Sequence, residues 1–183
     1  MKIIAFTGMP WSGKSEAVRL AKEQGIPVIR MGDFIWEETK QRGLDLVDGN
    51  VGKIATEMRN THGKDIWAQK TYEAIQQIKN DHMIIIDGVR NLEEVEYFKQ
   101  HLSTDFSLVA IDAQDQTRHQ RALQRNRQDD EQDIGKLKER DKRELGWGLG
   151  EVIASADIVI SNEDGIEPFQ QQIITLFQQL MKR

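Results

Sequence analysis

Cysteine is absent from this 183-residue chain. That excludes disulfides, thiolate-bound zinc and a cysteine nucleophile, and it suits a cytoplasmic setting. No run approaches the roughly 18 apolar residues of a membrane span. The opening reads as a strand with one lysine and has no signal-peptide apolar core, so we expect a cytoplasmic protein without a membrane partner. A basic excess is also missing. Lys and Arg number 25 against 30 Asp and Glu, a formal net charge of −5, so the surface as a whole does not attract nucleic acid. With only three prolines and no repeat or low-complexity linker, nothing marks a boundary, and residues 1–183 read as one domain. The four histidines, His62, His82, His101 and His119, show no metal-ligand or triad spacing and read as surface residues.

What the chain does have stands at its start. An apolar run, Lys2–Thr7, leads into Gly8-Met9-Pro10-Trp11-Ser12-Gly13-Lys14-Ser15, and a helical pattern follows at once. Gly-x-x-x-x-Gly-Lys-Ser between a strand and a helix is a phosphate loop. Its backbone N–H groups turn inward around a nucleotide's phosphates, and the helix N-terminus adds its positive end. Residues Gly8 through Glu16 are therefore the expected nucleotide contacts. Lys14 would reach the β- and γ-phosphates, and Ser15 would offer a hydroxyl to Mg²⁺. The motif implies binding of a nucleoside triphosphate.

Further strands are expected at Pro27–Arg30, Met83–Asp87, Ser107–Asp112 and Asp157–Ser161, separated by segments of helical period. Ala17, Val18, Leu20 and Ala21 give the first helix its apolar face. A helical insertion over 33–80 contains patterns around 33–42, 51–61 and 65–79, with Asn50 and Asp65 as N-caps and Gly43 and Gly63 as stops. Asn91 would cap a helix through His101. Gln116 to Arg127 is helical and basic, and Ile166–Met181 closes the chain. Strands alternating with helices imply parallel pairing, hence a three-layer α/β fold with a parallel five-stranded sheet and the nucleotide at the strands' carboxyl ends.

Several side chains then become candidates. Asp87 ends the most apolar strand and could hold Mg²⁺ through water, or be a solvated strand end. Arg90, three residues on, would fork onto phosphate in the same cleft or make a surface ion pair. Asp33 follows the second strand, where a second substrate should meet the phosphate loop; it could take a proton from an attacking hydroxyl, cap the helix from Phe34, or do both. Arg118, Arg121 and Arg125 share one helical face, and Arg127 lies just beyond it. With a second mixed helix carrying Arg140 and Arg143, they outline an arginine-rich lid over 116–145, or a solvated charged face. Asn162, in the turn after the last strand, could meet a purine edge or belong to a plain turn.

Together the motifs resemble a P-loop kinase of the nucleoside-monophosphate-kinase group, and most closely the archaeal family labelled dephospho-coenzyme A kinase-like. The resemblance covers nearly the whole chain. It rests on Gly8–Ser15, Met31-Gly-Asp33, Asp87-Gly-Val-Arg90, the basic stretch ending Arg125-x-Arg127, the segment Arg140-Asp-x-Arg143-Glu-Leu-Gly-x-Gly-x-Gly-Glu-Val, and Ala156-Asp157 with Asn162. It implies ATP and Mg²⁺ as cofactors and a nucleotide-like phosphoryl acceptor. Lys14 and Ser15 would contact phosphate and metal, Asp33 would be the acceptor-side carboxylate, Arg90 an acceptor clamp, and Arg121 and Arg125 donor contacts. Two residues depart from the family pattern. Trp11 stands where related chains usually carry Gly, and Trp36 where they tend to carry the Arg of Gly-Asp-x-x-Arg. Arg59 is a substitute source of that charge.

The leading expectation is a phosphotransferase moving the γ-phosphoryl of ATP to dephospho-coenzyme A or a nucleoside monophosphate. The competing one is a nucleotide-gated ATPase switch that grips a protein or RNA partner around Trp36, Trp67 and Tyr72, aromatics that could equally pack a core.

Overall fold

The computed structural model describes residues 1–78, 82–102, 105–124 and 133–181. Five parallel strands form one sheet in the order β2-β3-β1-β4-β5. They are β1 (Lys2–Thr7), β2 (Val28–Arg30), β3 (Met83–Asp87), β4 (Asp105–Asp112) and β5 (Ile158–Ser161). The α/β expectation from alternating apolar runs is met. The strand limits move by one or two residues, because pairing to a neighbour rather than hydrophobicity decides where a strand stops.

The central strands are apolar on both faces because both faces are covered. Side chains alternate along a strand, so Ile3, Ala5, Ile84, Ile86 and Leu108 meet one core while Ile4, Phe6, Ile85, Val109 and Ile111 meet the other. The second face is covered by α1 (Lys14–Glu23) and α9 (Ile166–Met181), through Ala17, Leu20, Phe169, Ile173 and Phe177. The first is covered by α4 (Ile66–Ile75) and α5 (Leu92–His101), with Trp67 and Phe98 fully buried.

Before α4 the insertion runs through α2 (Met31–Gln41) and α3 (Asp48–His62). Two expected caps change here. The helix start falls at Val47, so Asn50 lies inside the first turn of α3, its amide donating to the Asp45 carbonyl at 3.0 Å. Asp65 does sit at the N-cap of α4 but makes no capping hydrogen bond. Asn91 caps α5 as expected, its Oδ1 accepting from the Glu94 N–H at 2.8 Å, a bond worth about 1 kcal/mol.

The basic stretch is helical over α6 (Asp115–Gln124), and the mixed helix over α7 (Ile134–Gly146) is followed by α8 (Leu149–Ala154). Arg125 and Arg127 lie outside the described residues. In the sheet, Arg30 is directly opposite Asp87 and Phe6 is opposite Asp87 on its other side. This register sets the carboxyl ends of β1, β2 and β3 side by side.

Candidate active site

The loop Gly8–Ser15 is seated on the carboxyl ends of β4 and β5 so closely that two positions admit no side chain. A Cβ on Gly8 would come within 2.3 Å of the Ile111 carbonyl, and one on Gly13 within 2.2 Å of the Asn162 amide nitrogen; both residues have positive φ. Asn162 is buried and donates to the Ser12 carbonyl at 2.8 Å, while its own carbonyl accepts from Arg121 at 2.7 Å. The Asn162 amide is thus engaged in holding the loop.

Lys14 turns back over the loop, its Nζ donating to the carbonyls of Gly8 at 2.5 Å and Met9 at 2.9 Å. Desolvation and then the charge of Arg90 lower its pKa from 10.5 to about 7, against the opposing pull of Asp87 and Glu144. The Lys14 ammonium thus holds its proton far more weakly than that of an exposed lysine.

Trp11 has φ 61 and is the one non-glycine residue with positive φ among those described. That conformation explains why glycine suits this position, since an L side chain there costs about 1–2 kcal/mol. The ring is held by the Arg140 guanidinium, 5.0 Å from its centroid.

Beyond the loop a cleft of about 620 Å³ opens between the sheet edge, α2, α3 and α7. Ser15, Asp87, Arg90 and Arg121 line it. Asp87 sits opposite Arg30, whose Nε is 3.6 Å from its Oδ2, and Asp87 Oδ1 is buried with no hydrogen-bond partner. Arg90 Nη1 lies 3.1 Å from Glu144 Oε2. Glu16 faces Arg19 at 2.6 Å and accepts from Gln170, so it braces α1 against α9 although it also borders the cleft.

Asp33 departs from expectation. Helix α2 begins at Met31 with Arg30 as its N-cap, so Asp33 lies within the first turn and does not cap it. Its side chain is 56% exposed, 3.5 Å from Arg30, and is not part of the cleft wall. Arg118 departs too. It is fully buried, bonded to Asp141 of α7 at 2.8 Å and to Asp115 at 2.5 Å, and it donates to the Pro10 carbonyl at 3.0 Å. It fastens α6 and α7 to the phosphate loop and leaves Arg121 as the cleft-facing member of that helix. His119, expected at the surface, is half-buried against Asp141 at 3.0 Å. The other three histidines are exposed.

Four residues were not anticipated: Arg30, Asp48, Glu144 and Trp147. Asp48 receives Arg143 at 2.8 Å, joining α3 to α7. Glu144 is buried in the cleft wall. Burial alone would raise its pKa, but Arg90, Arg140 and Lys14 hold it below the ordinary carboxylate value. The Trp147 ring carries Arg59 at 4.6 Å and Arg143 at 5.6 Å. Glu144 and Trp147 fall within the segment Arg140–Val152 that the resemblance singled out, which was the available signal.

Comparison with known proteins places this geometry. Residues 7–138 match the AAA domain family. The whole chain is 43% identical to a UPF0200 protein of Methanosarcina barkeri, covering 98% of that protein. The chain belongs to the UPF0200 family. Another UPF0200 protein, from Methanocaldococcus jannaschii, is 38% identical over 182 residues, 91% of its length. The chain spans 57% of the UPF0200/UPF0201 protein of Archaeoglobus fulgidus, at 42% identity.

The fold is that of the P-loop kinases. The shikimate kinase of Bacteroides thetaiotaomicron superposes with a TM-score of 0.64 at 15% identity, over 99% of this chain and 98% of that one. The shikimate kinase of Aquifex aeolicus gives 0.53 at 17% identity, over 97% and 96%. The UPF0200 site thus lies at the phosphate-loop end of a kinase-like sheet. Among the described residues no helix is long and apolar enough to cross a membrane.

Proposed function

We propose that this UPF0200 protein transfers the γ-phosphoryl group of ATP to a nucleotide-like small molecule, dephospho-coenzyme A or a nucleoside monophosphate. The observation that carries the proposal is one continuous cleft. The phosphate loop and Lys14 form one end, and an arginine-lined helical wall from α3 and α7 faces it. A simple hydrolase has no need of that second wall. Phosphoryl transfer asks a protein to position two reactants and neutralise charge, and such a cleft does both.

In this reading the loop amides and Lys14 receive the donor's β- and γ-phosphates, which displace Lys14 from the Gly8 and Met9 carbonyls. Arg90, Arg121 and Arg140 lie along the path of the transferred group and spread its developing charge. An acceptor oxygen forms its bond to the γ-phosphorus as the bridging bond to the β-phosphate breaks, and ADP leaves. Ser15 and Asp87 would hold Mg²⁺. Both border the cleft, and the buried, unpartnered Asp87 Oδ1 suits a cation or its water. The ion would supply charge neutralisation across the β- and γ-oxygens.

Of the three aromatics on which the switch reading rests, Trp67 is fully buried and Tyr72 packs edge-on to Tyr97, while Trp36 borders the cleft. The test is ATP consumption with Mg²⁺ across nucleoside monophosphates, dephospho-coenzyme A and a blank, with Lys14→Ala alongside. One acceptor phosphorylated well above the blank, with no signal from Lys14→Ala, is expected. Equal Lys14-dependent turnover in every well would overturn the kinase.

A further inference from the structure

Trp11 occupies a position of the phosphate loop where the backbone favours glycine. Its φ of 61 lies in the left-handed region, which glycine enters freely and a residue with a Cβ does not. A side chain kept in such a conformation beside a binding site persists where its surroundings over-determine it. Here they hold it firmly. The Pro10 carbonyl on one side accepts from Arg118 Nη1 at 3.0 Å, and the Ser12 carbonyl on the other accepts from the Asn162 amide at 2.8 Å. The Ser12 N–H also donates to the Met9 carbonyl at 3.2 Å, closing a turn around Pro10 and Trp11. The indole therefore stands on a fixed base.

Over that ring lies Arg140 of α7, its guanidinium carbon 5.0 Å from the ring centroid. Two carboxylates also approach Arg140 Nε, both at long range: Glu144 Oε1 at 3.3 Å and Asp48 Oδ1 at 3.4 Å. Each of them is met more closely by another arginine, Glu144 by Arg90 at 3.1 Å and Asp48 by Arg143 at 2.8 Å. Shared acids of that kind balance charge but leave the plane of the Arg140 fork loosely defined. The flat face of an indole defines it, because a guanidinium is attracted to the ring's π-cloud and is weakly enough hydrated to lie against it. Trp11 and Arg140 both border the cleft. After desolvation and Arg90, the Arg140 charge adds to the lowering of the Lys14 pKa. The seated guanidinium is thus in electrostatic range of the Nζ that a nucleotide's terminal phosphates would meet.

We infer that Trp11 is a positioning residue: its ring seats Arg140 over the phosphate loop, so that the guanidinium meets the γ-phosphate of a bound nucleoside triphosphate. A diphosphate ends short of Arg140 and gains nothing from the seat. Trp11 therefore sharpens the preference of the site for a triphosphate over a diphosphate. The unfavourable backbone conformation is offset by a second cation already in place before the nucleotide arrives. Only the binding of a nucleoside triphosphate is taken from the reading above; no acceptor is needed.

The experiment is isothermal titration of the full chain, in Mg²⁺, with adenosine 5′-(β,γ-imido)triphosphate and with ADP. The ratio of the two affinities is the readout. Arg140→Gln should reduce that ratio about tenfold or more, as loss of a charged hydrogen bond implies. Trp11→Gly should reduce it about threefold to tenfold, as loss of a cation–π contact implies, with ADP affinity little changed. Trp11→Phe keeps an aromatic face and should recover most of the ratio. Trp11→Gly combined with Arg140→Gln should be no worse than Arg140→Gln alone, because the one residue acts through the other. In urea denaturation run alongside, Trp11→Gly removes the unfavourable φ and should leave the midpoint unchanged or raised. A tryptophan with a purely structural role would lower the midpoint and leave the ratio as it was. An unchanged ratio in Trp11→Gly, no recovery in Trp11→Phe, or a loss fully additive with that of Arg140→Gln would each overturn the inference. A chain that shows the expected ratios yet phosphorylates no acceptor would sink the kinase reading and leave the role of Trp11 standing.

Discussion

Lys14 makes the charge state of the phosphate loop depend on what occupies it. Its pKa in the protein alone is about 7, lowered from 10.5 by desolvation and by Arg90. A nucleotide's phosphates bring negative charge to the ammonium and restore the protonated form. At pH 8 the free protein holds about 0.1 proton on Lys14 and the complex nearly a whole one, so binding takes up about 0.9 proton. Linkage gives the sign: affinity falls as pH rises, about tenfold per unit between pH 7.5 and 9.5. Phosphate itself adds nothing there, because its second ionisation is near pH 6. The assay is titration calorimetry with ADP, without metal, in two buffers of different ionisation enthalpy. A buffer-dependent heat at pH 8 and a dissociation constant climbing steeply to pH 9.5 are expected. Identical heats and a flat affinity would refute the argument. Folding carries the opposite sign. Because the folded pKa lies below the unfolded one, the destabilising contribution of Lys14 is complete below pH 7 and is relieved between about pH 7 and 10.5.

Removing the clasp on the loop should be costly: Arg118→Met leaves Asp141 buried with only His119 against it among the described residues and should lower stability by about 3 kcal/mol in chemical denaturation. Adding Asp141→Asn should restore much of that loss, and a simple sum of the two effects would count against the pairing. Gly52→Ala should displace the Arg143 guanidinium from its gap and loosen its ion pair with Asp48, lowering stability by about 1 kcal/mol or less in chemical denaturation while ADP affinity, read by calorimetry, is unchanged. Asn162→Ala removes the bond to the Ser12 carbonyl and should weaken ADP binding by about fivefold to tenfold while the chain still folds, as read by calorimetry and circular dichroism.

The phosphate loop and the order of elements were legible because their information is local. Spaced glycines before Lys14 and Ser15, and runs such as Met83–Asp87, carry their meaning within a few residues. Arg118 shows where such reasoning stops. Helical spacing put it on a face with Arg121, but only the tertiary approach of α7, supplying Asp141 from 23 residues away, makes it a buried clasp. Asp33 went the other way, because the helix began two residues earlier than its side chain suggested and turned it to solvent. Asn162 was found as a residue of interest, but its partner Ser12 is 150 residues distant. Glu144 is one of 30 acidic residues, and nothing local distinguishes a carboxylate that will be buried among arginines from one that will be solvated.

The chain has four tryptophans, and all of them border the same cleft. The protein's near-ultraviolet emission therefore originates almost wholly from one place, with Trp11 beneath Arg140 on the loop side and Trp147 beneath Arg59 and Arg143 on the other. The molecule has a built-in optical gauge. Single Trp→Phe replacements would divide its signal by position, and unlabelled protein could then report which end of the cleft a compound reaches and in what order two compounds arrive.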